Sequence, residues 1–310
     1  MKKSKKLLLI IAIILLVALI GTGVSFVVIA NSVVSSMTDV RIEKSDYELS
    51  DFALVGESIT VSTNDDISIN AYVIENAQSK ANVILLHGMH GMDATSLFPY
   101  AKFIYDAGYT PICVDMRAHG NSGGEVIGLG YLETQDVLAV IDYIKQDDSL
   151  KTKPIVLYGL SMGGSTAINT AANSTDIAGI IADSPYMSYQ AQVSDYMSRD
   201  GSSDLFIKTF MPAINTVLRF KLGINPKKNT PEKSIAQFDT PILLVHGDKD
   251  TQTNVYHSEE LYDLSSSQDK ELVIVSDADH LIVEDVLSQD AQDYTTMIID
   301  WLDTRFAPTT

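Results

Sequence analysis

Cysteine is nearly absent: Cys113 is the only one in 310 residues, so the chain cannot close an internal disulfide or build a cysteine-rich metal site. Histidine is also scarce, with six in all, which leaves few positions for a proton-transferring base. Basic residues are outnumbered, 22 against 40 acidic ones. Lys2, Lys3, Lys5 and Lys6 sit at the very start, so the remainder holds 18 basic and 40 acidic residues, a net charge of −22. Such a surface repels phosphate backbones and anionic headgroups, which sets nucleic acid aside as a partner. Repeats and low-complexity tracts are missing as well. The composition, 45% hydrophobic and 20% charged, is ordinary for a globular chain, and the length suits one large α/β domain behind an anchor.

From Leu7 to Ala30 the sequence runs 24 residues without a charge. About 20 apolar residues span the hydrocarbon layer of a bilayer, so residues 1–30 are expected to form a membrane anchor. A cleaved secretory signal is the alternative, but its apolar region is normally only about 7–15 residues; Val28-Ile29-Ala30-Asn31 is a weak cleavage site. The lysine-rich start should stay in the cytoplasm and the rest should lie outside, or be secreted if the segment is removed. Residues 31–50 are polar and of mixed charge, and are expected to act as a spacer before a domain over 51–310.

Two alternating stretches, Ser58–Ser62 and Ile67–Ile74, flank the turn signal Asn64-Asp65-Asp66, which predicts an antiparallel hairpin. Short apolar runs then follow at Val83–Leu86, Thr110–Val114, Pro154–Tyr158, Ile177–Ala182, Pro241–Val245 and Glu271–Val275. Helical spacing appears between several of them, at Leu97–Ala107, Leu132–Ile144 and Thr166–Ala172. Runs of this kind suit strands buried on both faces, and their alternation with helices predicts an α/β fold with a mostly parallel, doubly wound sheet. The rhythm breaks at about 185–238, where Met187, Met197, Phe206, Phe210, Met211, Leu218 and Phe220 lie in no clear strand. A helical cap over a site is the expectation there, with a peripheral packing element as the alternative.

Chemistry concentrates after the run Pro154–Tyr158. Gly159-Leu160-Ser161-Met162-Gly163 is G-x-S-x-G in strand–turn–helix context, where the serine hydroxyl is held clear of the sheet as a nucleophile. A protonated serine needs a base, and His280, just beyond the last apolar run, is the candidate. The third member should be a carboxylate that orients the imidazole. Asp250 in His246-Gly247-Asp248-Lys249-Asp250 gives the chain order serine, acid, histidine, with Asp248 as local rival. Oxyanion donors are expected at the backbone N–H of Met162 and at that of Met89 in the His87-Gly88-Met89-His90-Gly91 loop. His87, Gly88, His90, Tyr186 and Met187 are candidate substrate contacts. His90 and Asp93 alone make a poor metal site, and base, acid and donors are all protein groups, so neither metal nor organic cofactor is called for.

These motifs, with Val114-Asp115-Met116-Arg117-Ala118-His119-Gly120-Asn121-Ser122-Gly123-Gly124 between them, resemble the α/β-hydrolase superfamily over about residues 52–306. The pattern is similar to bacterial esterases, acylglycerol lipases and serine aminopeptidase-like members. It departs where Ala118 replaces the usual glycine and where no Val-Pro follows the acid. In that family His119 is usually structural.

Three functions fit. A membrane-bound esterase or lipase would act on a small-molecule or lipid-like acyl ester, and the Met-rich insertion suits a flexible acyl chain. A serine aminopeptidase-like enzyme would need a carboxylate for the substrate ammonium, with Glu125, Asp195 and Asp204 as options. A surface binding protein on a hydrolase fold would have no turnover. Oligomeric state, acyl length and physiological substrate are not legible.

Overall fold

A computed structural model of the chain describes residues 2–40, 45–225, 228, 230–283 and 285–307. Residues 41–44 of the expected spacer, 226, 227 and 229 of the expected cap, Met1 of the expected anchor, and 284 and 308–310 of the expected domain lie outside the described residues.

Eight strands form one sheet in the order β1-β2-β4-β3-β5-β6-β7-β8. Strands β1 (Glu57–Ser62) and β2 (Ser68–Val73) are the predicted hairpin, and β2 pairs antiparallel with β4 (Thr110–Val114). Strands β3 (Asn82–Leu86), β4, β5 (Ile155–Leu160), β6 (Ile177–Asp183), β7 (Ile242–Gly247) and β8 (Lys270–Val275) are parallel. Every residue of β3, β4, β5 and β7 is buried, because helices cover both faces.

Helix α1 (Lys2–Thr38) leads the chain. One face of the sheet is covered by α3 (Glu133–Gln146) and α4 (Met162–Ala171), which bury Val137, Val140, Ile141 and Ile168 against Ile84, Ile112 and Leu157. The other is covered by α2 (Phe98–Asp106) and the C-terminal helix Gln292–Phe306, through Phe98, Ile104, Ile298, Trp301 and Leu302. This is the expected doubly wound α/β sheet.

The insertion between β6 and β7 folds as α5 (Tyr189–Arg199), α6 (Asp204–Leu222) and the short α7 (Pro231–Ser234). Helix α8 (Tyr256–Leu264) follows β7, and the C-terminal helix Gln292–Phe306 is α9. Capping by the hydroxyls of Ser188 and Ser203, which accept from Ala191 and Phe206 N–H, starts α5 and α6. The first helix departs from expectation: it continues to Thr38, into the stretch 31–50 expected as a spacer. It is long and apolar enough to cross a membrane, a property that signal sequences share.

Chain order turns back between β3 and β5, which are neighbours in the sheet, with Leu86 in register with Gly159. Loops leaving the carboxyl ends of two such strands diverge and leave a crevice between them.

Candidate active site

Ser161 follows β5 and precedes α4, with φ 53° and ψ −113°. A non-glycine residue takes such a backbone only where its surroundings impose it. Here they do: Ser161 N–H donates to the Asp183 carbonyl at 2.7 Å, and α4 packs hard on the sheet. A Cβ at Gly159 would stand 2.2 Å from the Gly163 carbonyl carbon, and one at Gly163 would stand 2.2 Å from the Leu86 carbonyl oxygen. Only glycine permits that approach.

His280 leaves the end of β8, and its Nε2 lies 2.9 Å from Ser161 Oγ. Its Nδ1 lies 2.7 Å from Asp250 Oδ2, beyond β7. Asp250 is itself held on several sides: Oδ1 accepts from the N–H of Gln252 and Thr253, each at 2.7 Å, and His246 Nε2 is 3.1 Å from Oδ2. Burial pushes this carboxyl up, but the hydrogen bonds from His246 and His280, the His280 charge and the Thr253 N–H outweigh it, holding the group well below the usual carboxylate range. Asp248, the local rival, instead accepts from Asp277 N–H at 2.7 Å on the far side of the turn.

A cavity of about 490 Å³ lies over Ser161 and His280. Gly88, Met89, His90 and Tyr186 are in its wall; His87 and Met187 are not. His87 is fully buried, with Nδ1 2.7 Å from the Gly88 carbonyl and Nε2 accepting from Met116 N–H at 3.1 Å, so it braces the loop instead of facing a substrate. Burial holds its pKa down, to about 4. Met187 N–H donates to His257 Nδ1 at 3.2 Å, and its side chain packs on the core. A Cβ on Gly88 would come 3.7 Å from Ser161 Cβ, so the β3 loop passes directly beside the serine. Met162 opens α4, and the first N–H groups of a helix lack intrahelical partners.

Sequence reasoning left several wall residues unread: Met37, Gln192, Tyr196, Arg199 and Gln252. Arg199 Nη2 and Gln192 Nε2 both donate to the Gln252 carbonyl, at 2.7 and 2.9 Å, and bridge α5 to the Asp250 loop. Met37 carries a readable signal, since Phe26, Ala30, Val33 and Met37 fall at helical spacing across the expected boundary.

The family model described as serine aminopeptidase, S33, matches residues 77–234, about half of the chain. A Bacillus subtilis protein of uncharacterised role is 25% identical over 214 residues, 68% of each chain. An uncharacterised membrane protein of Saccharomyces cerevisiae is 26% identical over 249 residues, 79% of each. Among solved structures, an esterase of Pyrococcus furiosus superposes with a TM-score of 0.71 at 22% identity, covering 87% of this chain and 99% of that one. Est1E of Butyrivibrio proteoclasticus, solved with ferulic acid bound, gives 0.60 at 20% identity, covering 81% of this chain and all of the other. At these identities the structural likeness speaks to the fold, while the family match speaks to descent. The chain belongs to the serine aminopeptidase S33 family of the α/β-hydrolase superfamily, and so to the hydrolases.

Proposed function

We propose that the protein is a membrane-anchored serine hydrolase that cleaves carboxylic esters through an acyl-enzyme on Ser161. The observation that carries this reading is the relay from Ser161 Oγ to His280 Nε2 at 2.9 Å and from His280 Nδ1 to Asp250 Oδ2 at 2.7 Å, at the floor of a mainly apolar cavity. Ser161 Oγ attacks the acyl carbonyl as His280 Nε2 takes its proton, and Asp250 fixes the tautomer and balances the imidazolium. The N–H groups of Met162 and Met89 receive the oxyanion. His280 then returns the proton to the leaving alkoxide, and a water activated by the same ring releases the acid.

The cavity wall favours an ester over an N-terminal peptide. It presents Arg199 and, among the described residues, no aspartate or glutamate, whereas a substrate ammonium needs a carboxylate. Asp195, one of the three carboxylates considered for that role, is occupied by Asn254 Nδ2 at 2.6 Å and His257 Nε2 at 3.1 Å. A fluorophosphonate probe should label the wild-type chain and leave Ser161→Ala unlabelled. In the same preparation, p-nitrophenyl esters should turn over at least a hundredfold faster than aminoacyl-nitroanilides. Labelling that survives Ser161→Ala removes the nucleophile assignment, and the reverse order of rates removes the ester assignment.

A further inference from the structure

Helix α1 does not end as a free tether. The ring of Phe26 meets those of Phe210 at 5.5 Å and Phe206 at 6.1 Å, both edge on. Ala30 and Val34 are fully buried with Ile214, Val217 and Leu218 of α6, and Val33 and Met37 pack against the same cluster. Phe26, Ala30, Val33 and Met37 are spaced three and four apart, the stripe one helix turns toward another. Polar contacts fix the far end. Lys221 Nζ reaches Asp39 Oδ1 at 2.7 Å and Ser35 Oγ at 2.8 Å, and Ile127 N–H donates to the Thr38 carbonyl at 2.8 Å.

Two consequences follow from this packing. Met37 enters the wall of the cavity over Ser161, so the helix that carries the apolar run also shapes the substrate site. In addition, α6 runs parallel to α1, because its first turns meet Phe26 and its last turn meets Ser35 and Asp39. The start of α6 therefore lies level with the outer part of the Leu7–Ala30 run, where Leu205 is 78% exposed; Phe220, further along, is 88% exposed. An apolar cavity of about 500 Å³ between the two helices, lined by Val27, Val28, Val217 and Phe220 among others, continues that surface. From Phe26 to Met37 the helix rises about 16 Å at about 1.5 Å per residue, a distance that brings the site close to the headgroup layer of a bilayer crossed by α1.

We propose that the Phe26–Thr38 segment of α1 is a structural wall of the substrate site that seats α6 on the outer surface of the bilayer, so that the cavity receives esters whose acyl chains are dissolved in that leaflet. This rests on the serine ester hydrolase reading. The exposed apolar side chains of α6 have a committed occupant, the lipid surface, because they are continuous with the exposed apolar run of α1.

The test uses the full chain in phosphatidylcholine vesicles and the ratio of kcat/KM for p-nitrophenyl palmitate carried in the vesicles to that for soluble p-nitrophenyl acetate. Replacing residues 26–38 by a Gly/Ser segment of equal length, with Leu7–Ser25 kept as a span of about 19 residues, is expected to lower this ratio at least tenfold while fluorophosphonate still labels Ser161. Should that chain fail to label, two milder changes decide: Leu205→Glu with Phe220→Glu is expected to lower the ratio at least fivefold, and Met37→Trp to raise KM for the palmitate more than for the acetate. Ratios unchanged in these variants overturn the inference, because a mere tether predicts no change. Absence of acetate turnover in the labelled wild type would instead overturn the ester reading on which it rests.

Discussion

Asp250 does more than face His280. Its Oδ1 organises the backbone of Gln252 and Thr253, and its Oδ2 is shared by His246 and His280. An asparagine at 250 keeps the Oδ1 acceptor but turns an NH₂ toward two imidazoles, which forces His280 to present the wrong tautomer to Ser161. Asp250→Asn is therefore expected to lower kcat on a p-nitrophenyl ester about 10³–10⁴-fold with a smaller change in KM, measured beside an unfolding curve; a loss under tenfold would remove Asp250 from the relay. Because its folded pKa lies below the unfolded value, its stabilising contribution is present above about pH 4 and lost only as the pH falls toward the folded value. The acid limb of a pH–rate profile consequently does not report this carboxylate. Ala118, where the pattern that the loop resembles has glycine, sits at φ 63° and is buried; the strain, roughly 1–2 kcal/mol, is offset by a buried methyl worth about 0.8 kcal/mol and by the extra backbone entropy a glycine would lose. The candidate nucleophile, base and acid were legible as residue types in motifs. His246 and Arg199 were not, because their roles depend on partners 4 and 53 residues away in the chain.

Two polar clusters, each centred on a buried carboxyl, hold the elements that carry the site. Arg117, between β4 and α3, bonds Asp136 through Nε and Nη2, and Asp65 of the β1–β2 turn through Nη1. Burial raises the Asp136 pKa and Arg117 lowers it, with a net value of about 6. Removing the guanidinium strands a carboxylate whose side chain is fully buried. Arg117→Met is accordingly expected to cost about 3–5 kcal/mol in urea unfolding; a change within 1 kcal/mol would show that the cluster contributes little. Beneath the serine turn, Asp183 at the end of β6 is fully buried and accepts from Tyr294 OH at 2.5 Å, while Tyr158 OH contacts Tyr294 OH in turn. Burial raises Asp183 to about 6, against the lowering effects of Tyr294, His246 and His280. The native state thus favours the protonated carboxyl, so its contribution is fully present below about pH 4 and is lost as the pH rises through about 6. Asparagine cannot ionise. The stability of Asp183→Asn relative to wild type should rise between pH 4 and pH 7 by up to about 3 kcal/mol, and a flat difference would mean that Asp183 titrates normally. At this scale the strands were legible within a residue or two, since a run buried on both faces leaves a continuous apolar signature. The first turn of α4 was not, because Gly163 and Gly164 read as helix breakers although close packing on Leu86 requires glycine at 163. Helices α8 and α9 were missed because their buried residues are few among charged ones.

For the whole molecule, sequence periodicity sufficed for the doubly wound sheet and the helical insertion, but not for the length of the first helix. Apolar composition marks where lipid can surround a helix. Its continuation to Thr38 is decided by the partner surface of α6, of which the local sequence shows the facing stripe Phe26, Ala30, Val33 and Met37 but not the partner. Net charge is the other global property, and it acts on encounter instead of on fold. With 40 acidic residues against 22 basic ones, the molecule draws cationic solutes toward it and repels anionic ones over the screening distance, which is about 30 Å at 0.01 M salt and about 8 Å at 0.15 M. Arg199 in the cavity wall is tied to the Gln252 carbonyl and supplies one positive charge against that field. For three soluble esters matched in acyl group, raising salt from 0.01 to 0.15 M should therefore lower kcat/KM for a choline ester about 3–10-fold, leave a neutral alkyl ester unchanged, and raise it for an ester whose alcohol carries a carboxylate. The three should converge at high salt, where geometry alone decides. The reverse order would show that Arg199 sets the field at the cavity mouth, and parallel behaviour of all three that no net field acts there, with the acidic surface too far away to matter.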